Sequence, residues 1–78
     1  MTWNYRVIVT DGEFGIHEVY YDQPDCSSKQ LSWTESPVHP GGGSKIELKQ
    51  DIMYMLEALN LPALKESEDG KSLEEYHG

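Results

Sequence analysis

Apolar and polar residues alternate from the start of the chain. Trp3, Tyr5, Val7 and Val9 fall on one side of an extended segment and Asn4, Arg6, Ile8 and Thr10 on the other, because successive strand side chains point to opposite faces. The odd-numbered side is the candidate core. Asp11-Gly12 supplies turn residues and Gly15 a position open to positive φ, so a loop of about three to five residues is expected to reverse the chain. In the returning strand His17, Val19 and Tyr21 share one side while Ile16, Glu18 and Tyr20 share the other, and neither side is purely polar. Residues 22 to 30 are turn formers and small polar residues and read as a loop. A third, short strand fits Leu31 to Glu35, after which Pro37, Pro40 and Gly41-Gly42-Gly43 read as a linker that does not continue a sheet.

The period then changes. Ser44 followed by Glu47 is a capping-box signature, in which each side chain meets a free backbone N–H at the first turn of a helix. Leu48, Ile52, Met55, Leu56 and Leu59 recur at helical spacing and make the expected buried stripe, with Asp51 and Met53 on its flanks. Asn60 before Leu61-Pro62 predicts a left-handed stop. From Lys65 onward only Leu73 and Tyr76 are apolar, which predicts an acidic tail too polar to order itself. The expected fold class is therefore α+β: a three-stranded antiparallel β-meander packed on one C-terminal α-helix (β-β-β-α). It forms a single domain over residues 1–64 and is followed by a disordered tail over 65–78.

Size and charge narrow the picture. Seventy-eight residues hold a single core near the lower limit of independent stability, and one cysteine, Cys26, permits no internal disulfide. Fourteen acidic residues against six basic ones give a net charge of -8, which opposes nucleic-acid phosphates and anionic lipid and favours a basic protein surface or a cation. Neither nucleic acid nor a membrane is an expected partner. Met1-Thr2-Trp3-Asn4 does not read as a signal peptide, and no stretch approaches the ~20 apolar residues of a membrane span. The expected compartment is the cytoplasm.

Candidate chemistry is sparse. His17 and Glu18 are neighbours on a strand and point apart, so they make no acid/base pair. His17 with Asp22 or His39 has the ligand types for zinc or nickel without a diagnostic spacing, and His77 lies in the acidic tail. Cys26 sits beside Asp25, which would raise its pKa rather than activate it. Gly41-Gly42-Gly43-Ser44-Lys45 precedes a helix as a phosphate cradle would, yet lacks the spacing of a P-loop. No catalytic residue, metal ligand or cofactor is assigned.

The segments Met1-Thr2-Trp3-Asn4-Tyr5-Arg6-Val7 and Gly15-Ile16-His17-Glu18-Val19-Tyr20-Tyr21-Asp22, with Trp33-Thr34-Glu35 and Met55-Leu56-Glu57-Ala58-Leu59 after them, resemble a family of short, acidic, uncharacterised bacterial proteins over roughly residues 1 to 62. The resemblance implies a bacterial, cytoplasmic origin and no established activity. The order of hairpin, third strand and helix is also similar to HicB-type antitoxin domains, which bind a basic toxin; that likeness is topological and implies partner binding only.

A three-stranded sheet under one helix leaves its other face open, and that face is expected to carry Arg6, Ile8, Ile16, Glu18 and Tyr20 with Trp33 beside them. These six residues are the candidate interaction surface. Exposed apolar area of this kind favours a partner or a second copy of the chain. The expected function is a non-enzymatic protein-interaction module, acting through self-association or a basic protein partner. The alternative is a small-ligand or metal-binding protein using His17, Glu18 or Asp22.

Overall fold

The computed structural model describes residues 2–22 and 30–77. Cys26 and most of the loop expected over 22–30 lie outside the described residues. The chain folds as β1 (Thr2–Thr10), β2 (Glu13–Tyr21), β3 (Gln30–Trp33), α1 (Lys45–Ala58), β4 (Leu64–Glu66) and β5 (Leu73–Glu75). The class is α+β, but the sheet has five strands in the order β3-β2-β1-β4-β5. It is mixed, with β4 parallel to β1 and the other pairings antiparallel. The expected three-stranded meander is thus the first part of a larger sheet, and the helix is a crossover rather than the last element.

The hairpin between β1 and β2 closes with two residues, Asp11 at φ 52° and Gly12 at φ 82°, with Thr10 paired to Glu13 across the turn. Two positive φ values in succession are what a type I′ turn requires, and Asp-Gly is a favoured pair for it. The loop is therefore shorter than expected, and Gly15 is not its positive-φ residue. The bare Cα of Gly15 serves close packing instead, since a Cβ there would lie 2.8 Å from Cγ of Pro37. Pro37 belongs to a segment that still follows β2 after β3 has ended: the Thr34 N–H donates to the Glu18 carbonyl at 3.0 Å and the Val38 N–H to that of Ile16 at 2.8 Å.

The two-residue turn also sets which side chains share a face. Val7 opposes Ile16, Tyr5 opposes Glu18 and Trp3 opposes Tyr20, so the odd residues of β1 stand with the even residues of β2. The other face carries Ile8, Val19, Tyr21, Leu64 and Leu73, a buried cluster on which Trp33 packs. The Trp33 indole N–H donates to Oε1 of Glu66 at 3.1 Å, linking β3 to β4 over the strands between them. Trp33 thereby covers part of a core that the sequence reading left open to water.

The segment expected as a disordered tail instead supplies β4 and β5. Leu64 and Leu73 bring one apolar side chain each into the cluster, while Lys65 and Glu74 pair on the outer side at 3.6 Å. The connection is a tight polar turn: the Ser67 N–H donates to the Ser72 carbonyl at 2.9 Å, the Gly70 N–H to the Ser67 carbonyl at 2.9 Å, and Gly70 takes φ 70°. Asp69 accepts from the Ser67 hydroxyl and the Lys71 N–H, bonds that hold its carboxyl below the usual carboxylate range. Composition alone gave these charged residues no reason to order; pairing beside β1 does.

Helix α1 begins as expected. Ser44 is the N-cap and its Oγ accepts from the Glu47 N–H at 3.2 Å, whereas the Glu47 carboxylate reaches one residue further back, to the Gly43 N–H at 2.7 Å. It ends differently. Leu59 is the C-cap in right-handed geometry, and Leu59, Asn60 and Leu61 tighten the last turn by donating to carbonyls three residues back. No left-handed Asn60 stop forms.

Candidate functional site

The helix lies over β1 and meets it through Leu48, Asp51, Met55 and Ala58, which are buried or half-buried. Spacings of three, four and three residues put these on one stripe. This differs from the expected stripe, because Ile52, Leu56 and Leu59 face solvent, Leu56 with 55% and Leu59 with 61% of its surface exposed. Two residues explain the rotation. Asp51 is drawn inward by the Tyr5 hydroxyl, which donates to its Oδ1 at 2.5 Å, and by the Gly41 N–H, which donates to Oδ2 at 2.9 Å. Ala58 is 1% exposed and adds only a methyl group to the buried side. The apolar positions beside them are left outward, with Ile46, Met53 and Tyr54 exposed as well.

Next to this helix surface is a cleft of about 450 Å³ lined by Trp3, Asn4, Tyr5, Tyr54, Glu57, Ala58 and Leu61. Trp3 and Tyr5 follow each other on one face of β1, their rings edge to face with centroids 5.1 Å apart. Tyr54, Glu57 and Leu61 come from the helix side at spacings of three and four residues. Trp3 remains 47% and Tyr54 59% exposed. Glu18, opposite Tyr5 in the register, accepts from the Tyr20 hydroxyl at 3.0 Å. Burial, the hydrogen bond to Asp51 and the nearby carboxylates push the Tyr5 phenol up to about 12, and the bond to Glu18 raises that of Tyr20. The same Tyr5 bond and the Gly41 N–H hold Asp51 below the usual carboxylate range.

A phenol whose pKa is higher folded than unfolded stabilises the fold fully below its ordinary value near 10, and that contribution is lost as pH rises through about 12. Absorbance titration at 295 nm is expected to resolve one tyrosine near 12. Asp51→Asn should move it down toward the ordinary value. A titration unchanged by Asp51→Asn would contradict the assigned bond.

The six residues expected to form one interaction surface are divided between the two faces. Arg6, Ile8 and Trp33 stand on the cluster side, and Ile16, Glu18 and Tyr20 on the helix side. The cause is the two-residue turn, which pairs odd with even positions. Ile8 is only 2% exposed. Arg6 donates through its terminal nitrogen to the Pro62 carbonyl at 2.7 Å and so ties β1 to the approach to β4. His17 is buried, with Nδ1 2.7 Å from the Thr34 carbonyl; that partner only accepts, so Nδ1 carries the proton. Among the described residues no group of three or more His, Cys, Asp or Glu side chains is placed to hold a metal ion, and no helix is long and apolar enough to cross a membrane.

The sequence reading placed Trp3 and Tyr5 in the core and gave Tyr54, Glu57 and Leu61 no part in a site. The signal for them was present: Trp3-x-Tyr5 shares a strand face, and positions 54, 57 and 61 share a side of the helix. Comparison with known proteins by family model, by curated sequence and by solved structure gave no match.

Proposed function

We propose that this protein is a non-enzymatic binding module that takes a basic protein partner on the outer side of α1. The observation that carries this reading is the outward turn of Ile52, Leu56 and Leu59 beside Met53 and Tyr54. A fourteen-residue helix with only Met55 and Ala58 fully buried leaves apolar area that a monomer gains nothing by exposing. The net charge of -8 selects the partner class: it attracts a cationic surface and speeds its encounter, and it opposes a second copy of the same chain. The likeness of the first elements to HicB-type antitoxin domains points in the same direction. Cytoplasmic action is part of this proposal.

The test is a photo-crosslinking residue placed at Leu56 or, as a control, at the exposed Glu74, each in lysate of the native host. A discrete adduct is expected from position 56 alone, with a protein of net positive charge, and Leu59→Glu should reduce its yield at least tenfold. No adduct from position 56, equal adducts from both positions, or an adduct only with another copy of this chain would overturn the reading.

A further inference from the structure

We infer that the cleft formed by Trp3, Tyr5, Tyr54 and Glu57 is a binding site for a small organic cation with a quaternary ammonium head. The inference goes beyond the partner surface, because Leu56 and Leu59 do not line the cleft. Its first support is the kind of wall. Three of the seven lining residues are Trp or Tyr, with Ala58 and Leu61 filling between them. Aromatic faces carry partial negative charge and attract a cation held within about 6 Å of the ring centroid. The rings are also held in place. Tyr5 is anchored by its hydroxyl on Asp51, and Trp3 is set edge to face against Tyr5.

The second support is charge. Glu57 is the one ionisable acid or base among the lining residues, apart from the two phenols, and no Lys or Arg faces the cleft. Behind Tyr5 stand two more carboxylates, Asp51 bonded to its hydroxyl and Glu18 opposite it on β2. Burial is the largest cause of the raised Tyr5 phenol, and Asp51 and Glu18 add to it. An apolar cleft with carboxylates on and behind its wall favours a cation over a neutral or anionic ligand of equal size.

The cation must also be one that the lining can satisfy. A bare ammonium is strongly hydrated and carries three N–H groups that each need an acceptor, and side-chain acceptors in the lining are few: the Glu57 carboxylate, the two phenol oxygens, and Asn4, whose Oδ1 already accepts from the Tyr21 hydroxyl. A trimethylammonium head has no N–H to satisfy and presents methyl groups to the rings. The volume of about 450 Å³ is within the ~300–1,000 Å³ of small-molecule sites and leaves room for a short chain beyond the head.

Choline, its neutral carbon isostere 3,3-dimethyl-1-butanol and ethanolamine provide the test, each titrated into the ¹⁵N-labelled full chain. The two indole N–H signals, from Trp3 and Trp33, can be followed separately. Saturable shifts of the Trp3 signal with choline are expected, with the Trp33 signal unmoved and with at least tenfold weaker binding of the isostere and of ethanolamine. Tyr54→Leu and Glu57→Gln, both on exposed positions, should each weaken choline binding several-fold while leaving the rest of the spectrum folded. Equal binding of the isostere would make this an apolar slot, equal binding of ethanolamine would reduce it to general charge attraction, and absence of saturable shifts would remove the site; each result overturns the inference. None of them bears on crosslinking from position 56, so the two readings fail separately.

Discussion

Leu73→Ala is expected to lower stability by ~2–4 kcal/mol, the range for truncating a buried leucine and leaving a cavity. Leu73 is 7% exposed and touches the Ile8, Val19, Tyr21 and Leu64 cluster, although residues 65–75 around it are otherwise all Glu, Ser, Asp, Lys or Gly. A chain of 78 residues carries only ~4–12 kcal/mol in total at ~0.05–0.15 kcal/mol per residue, so the loss is a large share. It corresponds to a fall in Tm of roughly 8–32 °C at ~4–8 °C per kcal/mol for a small domain. The neighbouring Glu74→Ala removes only an exposed ion pair with Lys65 and should change stability by less than ~1 kcal/mol. Thermal unfolding followed by circular dichroism separates the two. Equal and small effects would mean that residues 65–77 do not belong to the fold.

Trp33→Ala is expected to have a comparable effect, ~2–4 kcal/mol, somewhat under the ~3–5 kcal/mol seen for fully buried aromatic residues because the indole is only partly covered. Two contributions are lost at once: the packing on the cluster and the indole N–H bond to Glu66. Trp33→Phe keeps most of the first and loses the second, so it should fall between the variant and the wild type. Trp3→Ala should remain within ~1 kcal/mol of wild type, since Trp3 is half exposed and packs chiefly on Tyr5. Denaturant midpoints of the three variants rank the two tryptophans. Trp3→Ala as damaging as Trp33→Ala would contradict the assignment of Trp33 to structure and Trp3 to the working surface.

The contrast between these tryptophans marks how far the sequence could be read. Periodicity found β1, the body of β2 and the start of α1, because each strand is long enough for a repeating pattern and Ser44 with Glu47 marks the helix start chemically, but it began β2 three residues late. It did not place the side chains across the hairpin. Face assignment in β2 depends on whether the turn holds an odd or an even number of residues, and one residue of error moved Ile16, Glu18 and Tyr20 to the face opposite Ile8. β4 and β5 were illegible for a different reason. Three-residue strands contribute one leucine each, and their order comes from pairing with β1 and with each other rather than from local pattern.

The helix misled through its own regularity. Leu48, Ile52, Met55, Leu56 and Leu59 make a convincing stripe on the sequence, yet the helix turns Asp51 and Ala58 inward and Ile52, Leu56 and Leu59 outward. A hydrogen bond from Tyr5, which is 46 positions away in sequence, is part of what fixes that rotation, and no window along the chain contains it. The outward residues supply the proposed partner surface, and the rotation also sets Tyr54 and Glu57 opposite Trp3. Local sequence thus showed which helix positions share a side, but not which side meets β1.

Carbene footprinting labels side chains according to their exposure and applies both to the free chain and to the complex captured by the crosslinker at position 56. A partner surface on α1 requires heavy labelling of Trp3, Met53, Tyr54, Leu56 and Leu59 in the free chain, little at Ile8, Val19 and Leu73, and loss of label at Ile52 and Leu59 in the complex. Strong labelling of Ile8 and Leu73 in the free chain, or protection confined to Ile16, Tyr20 and Trp33 in the complex, would contradict it and return the interaction surface to the sheet.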